Sequence, residues 1–585
     1  MPTGPGPRTA HRIRAARFPS ACAALRACAV APATLAQRYE QDQFAPPEAY
    51  LPGDALPYFG SENPWDRRFF VSEKPPRVGQ PQFLHLSEGR VAEAIALCRE
   101  RLAADPLEWE SHFILALAHG ARGETAAMDQ ALETALALGL PPERVLLPLG
   151  KLTEPLARGA VYRRLRAASA GLLHGPMLGA VTPTGARFWV RTLGEAAVEV
   201  RVSARGDFTR PDATAAGRTR AAADHTAVIE VRGLRPGTRY RYSLALEGRT
   251  APRPIEWEFT TFPAESAATP VRLAFGGCAR YWPDHERVWD TIRLRRPDAF
   301  LILGDNVYLD LPERTGPFHD YTYYQRQSRP EFRRLTAAVP TYAIWDDHDA
   351  GIDDIFLGPF TDKPAWKVDH LALFRRNWNN PAYGAAPDRP GVWHSFRAGP
   401  VESFLLDGRY YRENFLKPGA SMLGPVQKAW LLDALRNSTA PFKLLVSPVA
   451  WADDAKVDTG PTGEKLYTRD TWHGYRAERE EIFDFIAKEK ISGVILISSD
   501  RHRNDVRLHR RARGYPLLEI ESGWLTNSIG TGRSGETLFE YLKGPAFGFL
   551  TATPGPDPTA AIEIVTITGE SVFRRELKAS ELRVP

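Results

Sequence analysis

The residues of this chain that could perform chemistry stand directly behind short apolar runs in its second half. Each run has the length and composition of a buried strand. Side chains that follow the carboxyl ends of parallel strands meet at one edge of a sheet, although they are far apart in sequence. Converging carboxylates, imidazoles and a thiol therefore predict a metal centre at that edge. The five run ends are Gly276-Gly277-Cys278, Gly304-Asp305-Asn306-Val307-Tyr308, Asp346-Asp347-His348-Asp349, Asp407-Gly408-Arg409 and Ser499-Asp500-Arg501-His502.

Asp305 is the candidate for a ligand shared by two metal ions. It follows the apolar run 299–303, and Gly304 gives the backbone the freedom for a sharp turn with metal beneath it. Two cations that share a carboxylate can neutralise a bound anion and lower the pKa of a bound water. An aspartate at this position could instead cap a helix, so the prediction rests on all five polar run ends together.

The elements that must position these residues belong to a mixed α/β domain. Apolar runs alternate with helical or irregular segments, which is the pattern of a layered αββα domain. We assign this domain to residues 270–585. The runs are 271–275, 299–303, 342–345, 404–406, 444–446 and 494–497.

An all-β segment is predicted ahead of that domain, at residues 171–263. Apolar and polar residues alternate there with a period of two, as at 197–202. The stretch 233–240 resembles the turn and tyrosine corner of a fibronectin type III-like sandwich, in which the hydroxyl of Tyr240 would tie back to nearby backbone. Trp189 would fill the core of this sandwich. A packing spacer is the simplest function for it, and a binding module is the alternative.

A helical segment is predicted at residues 87–150, where apolar residues recur every three to four positions. Gly89 and Gly123 lie 34 residues apart (123 − 89), the period of a tetratricopeptide repeat. An unrelated helical hairpin is the alternative. Such a segment could contact a protein partner.

The first 86 residues carry two further signals. Residues 1–36 combine a basic start with a small apolar stretch, which predicts a signal peptide and a secreted or periplasmic protein. A disordered start and a cytoplasmic location are the alternative. Residues 37–86 are rich in proline and aromatic residues without periodicity, which predicts an extended arm packed over a neighbour.

Length and composition exclude several classes of protein. The 585 residues exceed the about 250 to 300 that one core holds, so several domains are expected. The 75 basic and 70 acidic residues nearly balance, which gives no electrostatic basis for nucleic-acid binding. The four cysteines are too scattered for a disulfide framework, and no run reaches the ~18 apolar residues of a transmembrane span.

The run ends resemble the motifs of the PhoD-like alkaline phosphatase and phosphodiesterase family, a branch of the calcineurin-like metallophosphoesterases. Two spacer motifs, at 423–427 and 472–475, agree with it, and the resemblance spans about residues 171–550. It implies metal-dependent hydrolysis of phosphoric monoesters or diesters. The alternative is a non-catalytic binding or scaffold protein that uses the helical and β segments. Retention of a costly cluster of acids argues against that alternative.

The resemblance also implies a mixed centre of ferric iron and calcium, with another divalent metal as the alternative. Cys278 would bind the iron as a thiolate and Tyr308 as a phenolate, while Asp305 would bridge to calcium. Asp347 would bind the second metal. His348 would then reach the leaving-group oxygen and protonate it as a general acid, although a capping or core histidine is its ordinary alternative role.

Asp500 and His502 complete the predicted ligand set. Alternation along an extended strand end would point both toward the metal and Arg501 away from it. Asp346 and Asp349 are expected to orient the ligands. Three arginines are the predicted hydrogen-bond donors to the phosphate, and Arg409 is also predicted to be a catalytic residue together with His348. Salt bridges within the scaffold are an equally ordinary use of these arginines. The three are Arg280, Arg409 and Arg412.

Overall fold

The computed structural model describes residues 77–584, apart from 254, 313–314, 416, 454–455, 460–464, 469 and 531–536. The predicted signal peptide at 1–36 and most of the predicted arm at 37–86 lie outside the described residues. Within the described residues, no helix combines the length and the apolar character that a membrane span requires.

Six helices open the described chain, and their apolar sides share one core. Gly89 and Gly123 end the first and third helices with φ of 78° and 75°, a left-handed conformation that glycine adopts without strain. The tetratricopeptide-like assignment of this unit stays a prediction. The helices are α1 (Gln80–Ser87), α2 (Val91–Ala104), α3 (Trp109–Ala121), α4 (Thr125–Ala137), α5 (Glu143–Leu146) and α6 (Ala160–Ala168).

The predicted extended arm is wrong for its last residues, because 80–86 are part of helix α1. Pro81 lies in the first turn, where its missing N–H costs nothing. Phe83, Leu84 and Leu86 are buried against the neighbouring helices. This burial of apolar side chains stabilises the helix. The proline-rich composition of the segment gave no indication of it.

Two antiparallel sheets follow. One has the order β1-β2-β5, and the other β4-β3-β6-β7, with β8 paired to β6. Trp189 is buried, and the hydroxyl of Tyr240 accepts a hydrogen bond of 2.9 Å from the backbone N–H of Arg235, the contact expected of a tyrosine corner. The strands are β1 (Leu172–Thr182), β2 (Gly185–Thr192), β3 (Ala197–Ser203), β4 (Ala213–Arg218), β5 (Thr226–Arg232), β6 (Arg239–Leu246), β7 (Arg249–Thr250) and β8 (Glu258–Thr260).

The third unit contains two mixed sheets whose apolar side chains belong to one core. The six-stranded sheet has the order β11-β10-β9-β21-β22-β23, with β9, β10 and β11 parallel. Its strands are β9 (Val271–Gly276), β10 (Ala299–Leu303), β11 (Thr341–Ile344), β21 (Ala546–Thr553), β22 (Thr559–Thr566) and β23 (Ser571–Lys578).

The seven-stranded sheet has the order β12-β13-β14-β17-β19-β18-β20, in which β13, β14, β17 and β19 are parallel. A separate hairpin joins β15 and β16. The strands are β12 (His394–Ala398), β13 (Val401–Leu405), β14 (Phe442–Val446), β15 (Lys456–Thr459), β16 (Lys465–Thr468), β17 (Val494–Ser498), β18 (Asn504–His509), β19 (Leu517–Ser522) and β20 (Thr537–Tyr541).

Seven helices connect these strands. Those at 424–437 and 476–488 bury one apolar side each, as the 3.6-residue period requires. They are α7 (Val288–Leu294), α8 (Pro317–Gln327), α9 (Pro330–Ala338), α10 (Asp347–Ala350), α11 (Trp366–Asn377), α12 (Gly424–Asn437) and α13 (Arg476–Lys488).

Helix α8 joins the third unit to the helical unit. Tyr321 and Tyr324 on this helix are buried in the core of the helical unit. The ring of Tyr321 stacks on Phe83 at 4.0 Å, and its hydroxyl donates to Glu110 at 2.7 Å. The aromatic residues of this segment therefore bury an interface between two units instead of facing a ligand.

We expect Phe83→Ala to loosen this junction. Phe83 is completely buried, so its truncation removes apolar contact and leaves a cavity, with a loss of about 3–5 kcal/mol in the free energy of unfolding. Denaturant unfolding measures it. Leu107→Ala is the control, because Leu107 is 69% exposed and its truncation should change stability by less than about 0.5 kcal/mol. Equal stability of the two variants would show that the junction does not depend on Phe83.

Candidate metal centre

Four of the five polar run ends meet at the carboxyl edge of the two sheets. They follow β9, β10, β11 and β17, and they bring ligand atoms within 4.8 Å of one another in three overlapping groups. Asp305 and Asp347 each belong to two of these groups, so the three form one continuous cluster. The groups are Cys278, Asp305 and His502; Asp305, Asp347 and His348; and Asp346, Asp347 and Asp500.

The backbone of this cluster is strained. Cys278, Asp305, Asp500 and His502 have φ of 57°, 53°, 81° and 51°, the left-handed region that residues other than glycine seldom adopt. Such conformations persist only where the surrounding structure enforces them, and they concentrate at functional sites. Gly304 has φ of 108°, and a Cβ atom on it would lie 2.6 Å from the Cβ of Asp346. Glycine is therefore required before Asp305, as predicted.

Tyr308 lies beside the first group. Its hydroxyl donates to Oδ2 of Asp305 at 2.7 Å and lies 3.3 Å from Nε2 of His502. Burial raises the pKa of Tyr308 well above its usual value, and the charges of Asp305 and Cys278 raise it further. Burial and the same carboxylate also raise the pKa of the Cys278 thiol. Neither group would ionise here without a nearby cation.

Asp500 and His502 reach the cluster by a different route from the predicted one. Strand β17 ends at Ser498, and both residues lie in a turn with positive φ, so they do not alternate along an extended strand. Asp500 joins Asp346 and Asp347, whereas His502 joins Cys278 and Asp305. The left-handed turn therefore sends the two side chains to opposite ends of the cluster.

The donor set fits a metal centre of two ions. Oδ1 of Asp305 and Oδ2 of Asp346 are buried and have no hydrogen-bond partner, which is costly for a carboxylate without a cation. Burial raises the pKa of Asp305 well above its usual value and that of Asp346 to about 7, and the nearby charge of Asp347 raises both further. The thiol, phenol and imidazole at one end suit a transition metal, while the oxygen donors at the other suit a hard cation.

His348 lies at the middle of the cluster, and a carboxylate outside the predicted set holds it. Its Nδ1 lies 2.5 Å from Oδ1 of Asp310, and its ring is 4.2 Å from that of Tyr308. Burial alone would lower the pKa of His348, but the carboxylates of Asp347 and Asp305 raise it overall. With Nδ1 engaged, Nε2 is the nitrogen available for proton transfer.

Arg409 does not face a ligand, which corrects its prediction as a catalytic and phosphate-binding residue. Its side chain has no exposed surface, and its guanidinium binds Oδ1 of Asp346 and both oxygens of Asp470, the latter at 2.7 Å. Arg412 is also buried and bonds to Asp470 and to the hydroxyl of Tyr475. Asp470, which is remote in sequence, thus binds both arginines within the scaffold.

Arg280 is the predicted phosphate-binding arginine that stays beside the cluster. Its guanidinium lies 6.0 Å from the ring centre of Tyr308, and it lines a narrow pocket with Asn306. This placement agrees with contact to a substrate anion.

The fifth run end is structural. Asp407 accepts hydrogen bonds from the backbone N–H groups of Val392, Arg409 and Tyr410, each at 2.9 Å, and from the indole of Trp345. It therefore holds the turn after β13 instead of a metal. Asp349 has a similar role, because it accepts from the backbone of Asn306 and Val307 and so joins the turns after β10 and β11.

Sequence reasoning missed Asp310 and Asn527 at this site. Asp310 lies two residues past Tyr308, in the same turn. As an acidic residue that follows a predicted strand, it could have been identified from the sequence as a further site residue. Asn527 follows β19, and its amide donates to the hydroxyl of Tyr308 at 2.5 Å. Strand β19 was not among the apolar runs that we identified in the sequence, so no signal pointed to the residues that follow it.

Arg409→Ala should unfold the scaffold instead of weakening substrate binding. It leaves Asp346 buried without its cation and Asp470 paired with one arginine, Arg412, in place of two, which costs about 3–5 kcal/mol in the free energy of unfolding. Thermal and denaturant unfolding measure this. Arg476→Ala is the matched control, since its ion pair with Asp453 is about half exposed and contributes about 0–1 kcal/mol. A stable Arg409→Ala protein with a raised KM would restore Arg409 to the substrate site.

Comparisons with known proteins agree with this geometry. A family model described as PhoD-like phosphatase matches residues 273–527, and a domain of unknown function matches residues 169–264. Alkaline phosphatase D of Bacillus subtilis (strain 168) is 24% identical over 318 residues, which cover 48% of this chain and 53% of that protein. The chain thus spans about half the length of this relative.

A solved structure shows the same fold. This structure, described as PhoD, matches with a TM-score of 0.56 at 18% identity, over 69% of this chain and 92% of that one. A purple acid phosphatase from yellow lupin (Lupinus luteus) seeds has a TM-score of 0.49 at 12% identity, over 70% of this chain and 75% of the other. The first of these two matches confirms the predicted mixed α/β fold of the domain. Residues 273–527 are therefore similar to the PhoD-like phosphatases in sequence and in fold.

Proposed function

We propose that this chain hydrolyses phosphoric esters with the help of bound metal ions. The observation that carries the proposal is the continuous cluster of Cys278, four aspartates and two histidines at the carboxyl edge of the sheets. Burying so many acids together is unfavourable unless cations compensate them. The match of residues 273–527 to the PhoD-like phosphatase model supports the reaction class. The aspartates are Asp305, Asp346, Asp347 and Asp500.

We propose ferric iron and calcium as the two ions. Cys278, Tyr308, Asp305 and His502 would hold the iron, because a highly charged ion favours thiolate and phenolate donors. Calcium would take only oxygen donors, from Asp305, Asp347 and Asp500. When bound, such ions neutralise phosphoryl oxygens and lower the pKa of water.

His348 is the proposed general acid. Asp310 engages Nδ1, so the ring presents Nε2 to the reacting group and can donate its proton to the departing ester oxygen. Tyr308 packs against one side of the ring and limits its rotation. Arg280, which lies beside Tyr308, would donate hydrogen bonds to the phosphoryl group.

The other units have structural functions in this proposal. We infer a fibronectin type III-like sandwich at 171–263 and a tetratricopeptide-like pair of helices at 87–150, and both pack on the phosphatase domain. A protein partner of the helices and export to the periplasm or medium stay predictions from the sequence. A purely non-catalytic scaffold has less support, because it gives no chemical reason for the strained, acid-rich turns.

The proposal is tested by assaying purified protein on 4-nitrophenyl phosphate and bis(4-nitrophenyl) phosphate, with metal content measured in parallel. We expect hydrolysis of at least one substrate, loss of activity on chelation, and recovery on adding metal back. Hydrolysis of the diester alone would identify a phosphodiesterase. No turnover of either ester by metal-replete protein would favour the scaffold alternative.

We expect His348→Ala to keep its metals and lose turnover. Without a proton donor an alkyl phosphate loses about 10²- to 10⁴-fold in kcat, whereas a 4-nitrophenyl ester, with its acidic leaving group, loses less. Kinetics on the two substrates and metal analysis measure this difference. His112→Ala, a change in the remote helix α3, should leave both rates unchanged. Equal losses on both substrates would exclude His348 as the acid.

We expect Tyr308→Phe to change the colour of the protein. Phenolate or thiolate bound to ferric iron absorbs visible light by charge transfer, so protein purified without chelator should be coloured. Loss of the phenol should shift or weaken the band, and Cys278→Ser should alter it separately. Tyr162→Phe, in helix α6 of the helical unit, is the control. Colourless active protein that contains only calcium or zinc would refute the iron assignment and leave the hydrolase proposal intact.

A further inference from the structure

A segment from outside the phosphatase domain forms one wall of the site. Residues 77–80 lie at the start of helix α1, almost 200 positions before the family match begins at 273. Arg77, Val78 and Gln80 nevertheless line the narrow pocket beside Tyr308. The helical unit therefore contacts the catalytic groups directly, and is not only a neighbour of the domain.

Specific contacts hold this segment in place. The amide of Gln80 donates to the backbone oxygen of Tyr308 at 2.9 Å, and the amide of Gln325 donates to the backbone oxygen of Val78 at 3.0 Å. Gly79 has φ of 76°, and a Cβ atom on it would lie 2.2 Å from the hydroxyl of Tyr321. Only glycine fits there, so the approach of the segment to the site is close and well defined.

Arg77 uses this position to reach the partner of His348. It is 2% exposed, and its guanidinium pairs with Oδ2 of Asp310, whose Oδ1 holds Nδ1 of His348. The guanidinium also lies 5.5 Å from the centre of the Tyr308 ring. Each oxygen of Asp310 thus has its own cationic or imidazole partner, which fixes the rotation of the carboxylate.

We propose that Arg77 is a positioning residue of the phosphatase site, which acts through Asp310 to hold His348 in the orientation that proton donation requires. The proposal rests on the proposed function, because it concerns the same general acid. With one partner only, the carboxylate of Asp310 can rotate, and the imidazole of His348 that is bonded to it then moves away from the departing oxygen. A displacement of about 1 Å can cost about 10²-fold in rate. On this basis the phosphatase domain is catalytically incomplete without residues 77–80.

The test compares Arg77→Ala and Arg77→Lys in the full chain, on an alkyl phosphate and on 4-nitrophenyl phosphate. For Arg77→Ala we expect kcat on the alkyl ester to fall about 10- to 100-fold with little change in KM, and the 4-nitrophenyl ester to lose less. Arg77→Lys should recover much of the rate because it keeps the charge. Metal content and melting temperature should stay near those of the unchanged protein. Arg99→Ala, at an exposed position of α2, should match the unchanged protein in every respect.

A double-mutant cycle separates positioning from a merely structural role. In the His348→Ala background, Arg77→Ala or Arg77→Gln should cost no further kcat, because the residue through which Arg77 acts is gone. If Arg77→Ala does not fold, Arg77→Gln, which removes the charge and keeps a polar side chain, gives the cycle. Independent, additive losses, or equal losses on both esters, would overturn the proposal while the hydrolase function stands. An inactive unchanged protein would overturn both.

Discussion

Mutual repulsion among buried carboxylates is the constraint around which the catalytic unit is built. Asp305, Asp346, Asp347 and Asp349 lie within a few residues of two strand ends, and all are buried. The protein compensates two of them itself, Asp346 with Arg409 and Asp349 with backbone N–H groups. The unpaired oxygens of the cluster remain for metal ions. This division explains why one arginine is used in the scaffold and is not available to a phosphate.

The same constraint accounts for the strained turns. Carboxylates at consecutive strand ends converge only if the chain turns sharply after each strand, and four ligand positions adopt left-handed φ to do so. Gly304 permits one such turn because no Cβ fits against Asp346. The strands on either side, fully buried and rich in branched apolar residues, supply the packing that offsets the strain.

The helical unit adds a further layer to this arrangement. Helix α8 belongs to the phosphatase domain, but its Tyr321 and Tyr324 are buried in the core of the helical unit. In turn, Gln80 of helix α1 donates a hydrogen bond to the backbone oxygen of Tyr308 in the phosphatase domain. Contact in both directions places Arg77 beside Asp310 with little freedom. Comparisons of the phosphatase domain alone would overlook this link, because the residues that make it lie outside the matched segment.

The sequence by itself determined where several strands end, the resemblance to PhoD-like phosphatases, and most residues of the cluster. Apolar runs predicted β9, β10 and β17 to within a residue, because burial on both faces leaves a continuous apolar signal. Only the tertiary structure decided the partners of each polar group. Arg409 and Asp407 looked like site residues until their donors and acceptors were found engaged. Asp310, Asn527 and Arg77 gained their positions from contacts across 38 to 233 residues, and no local period records such contacts.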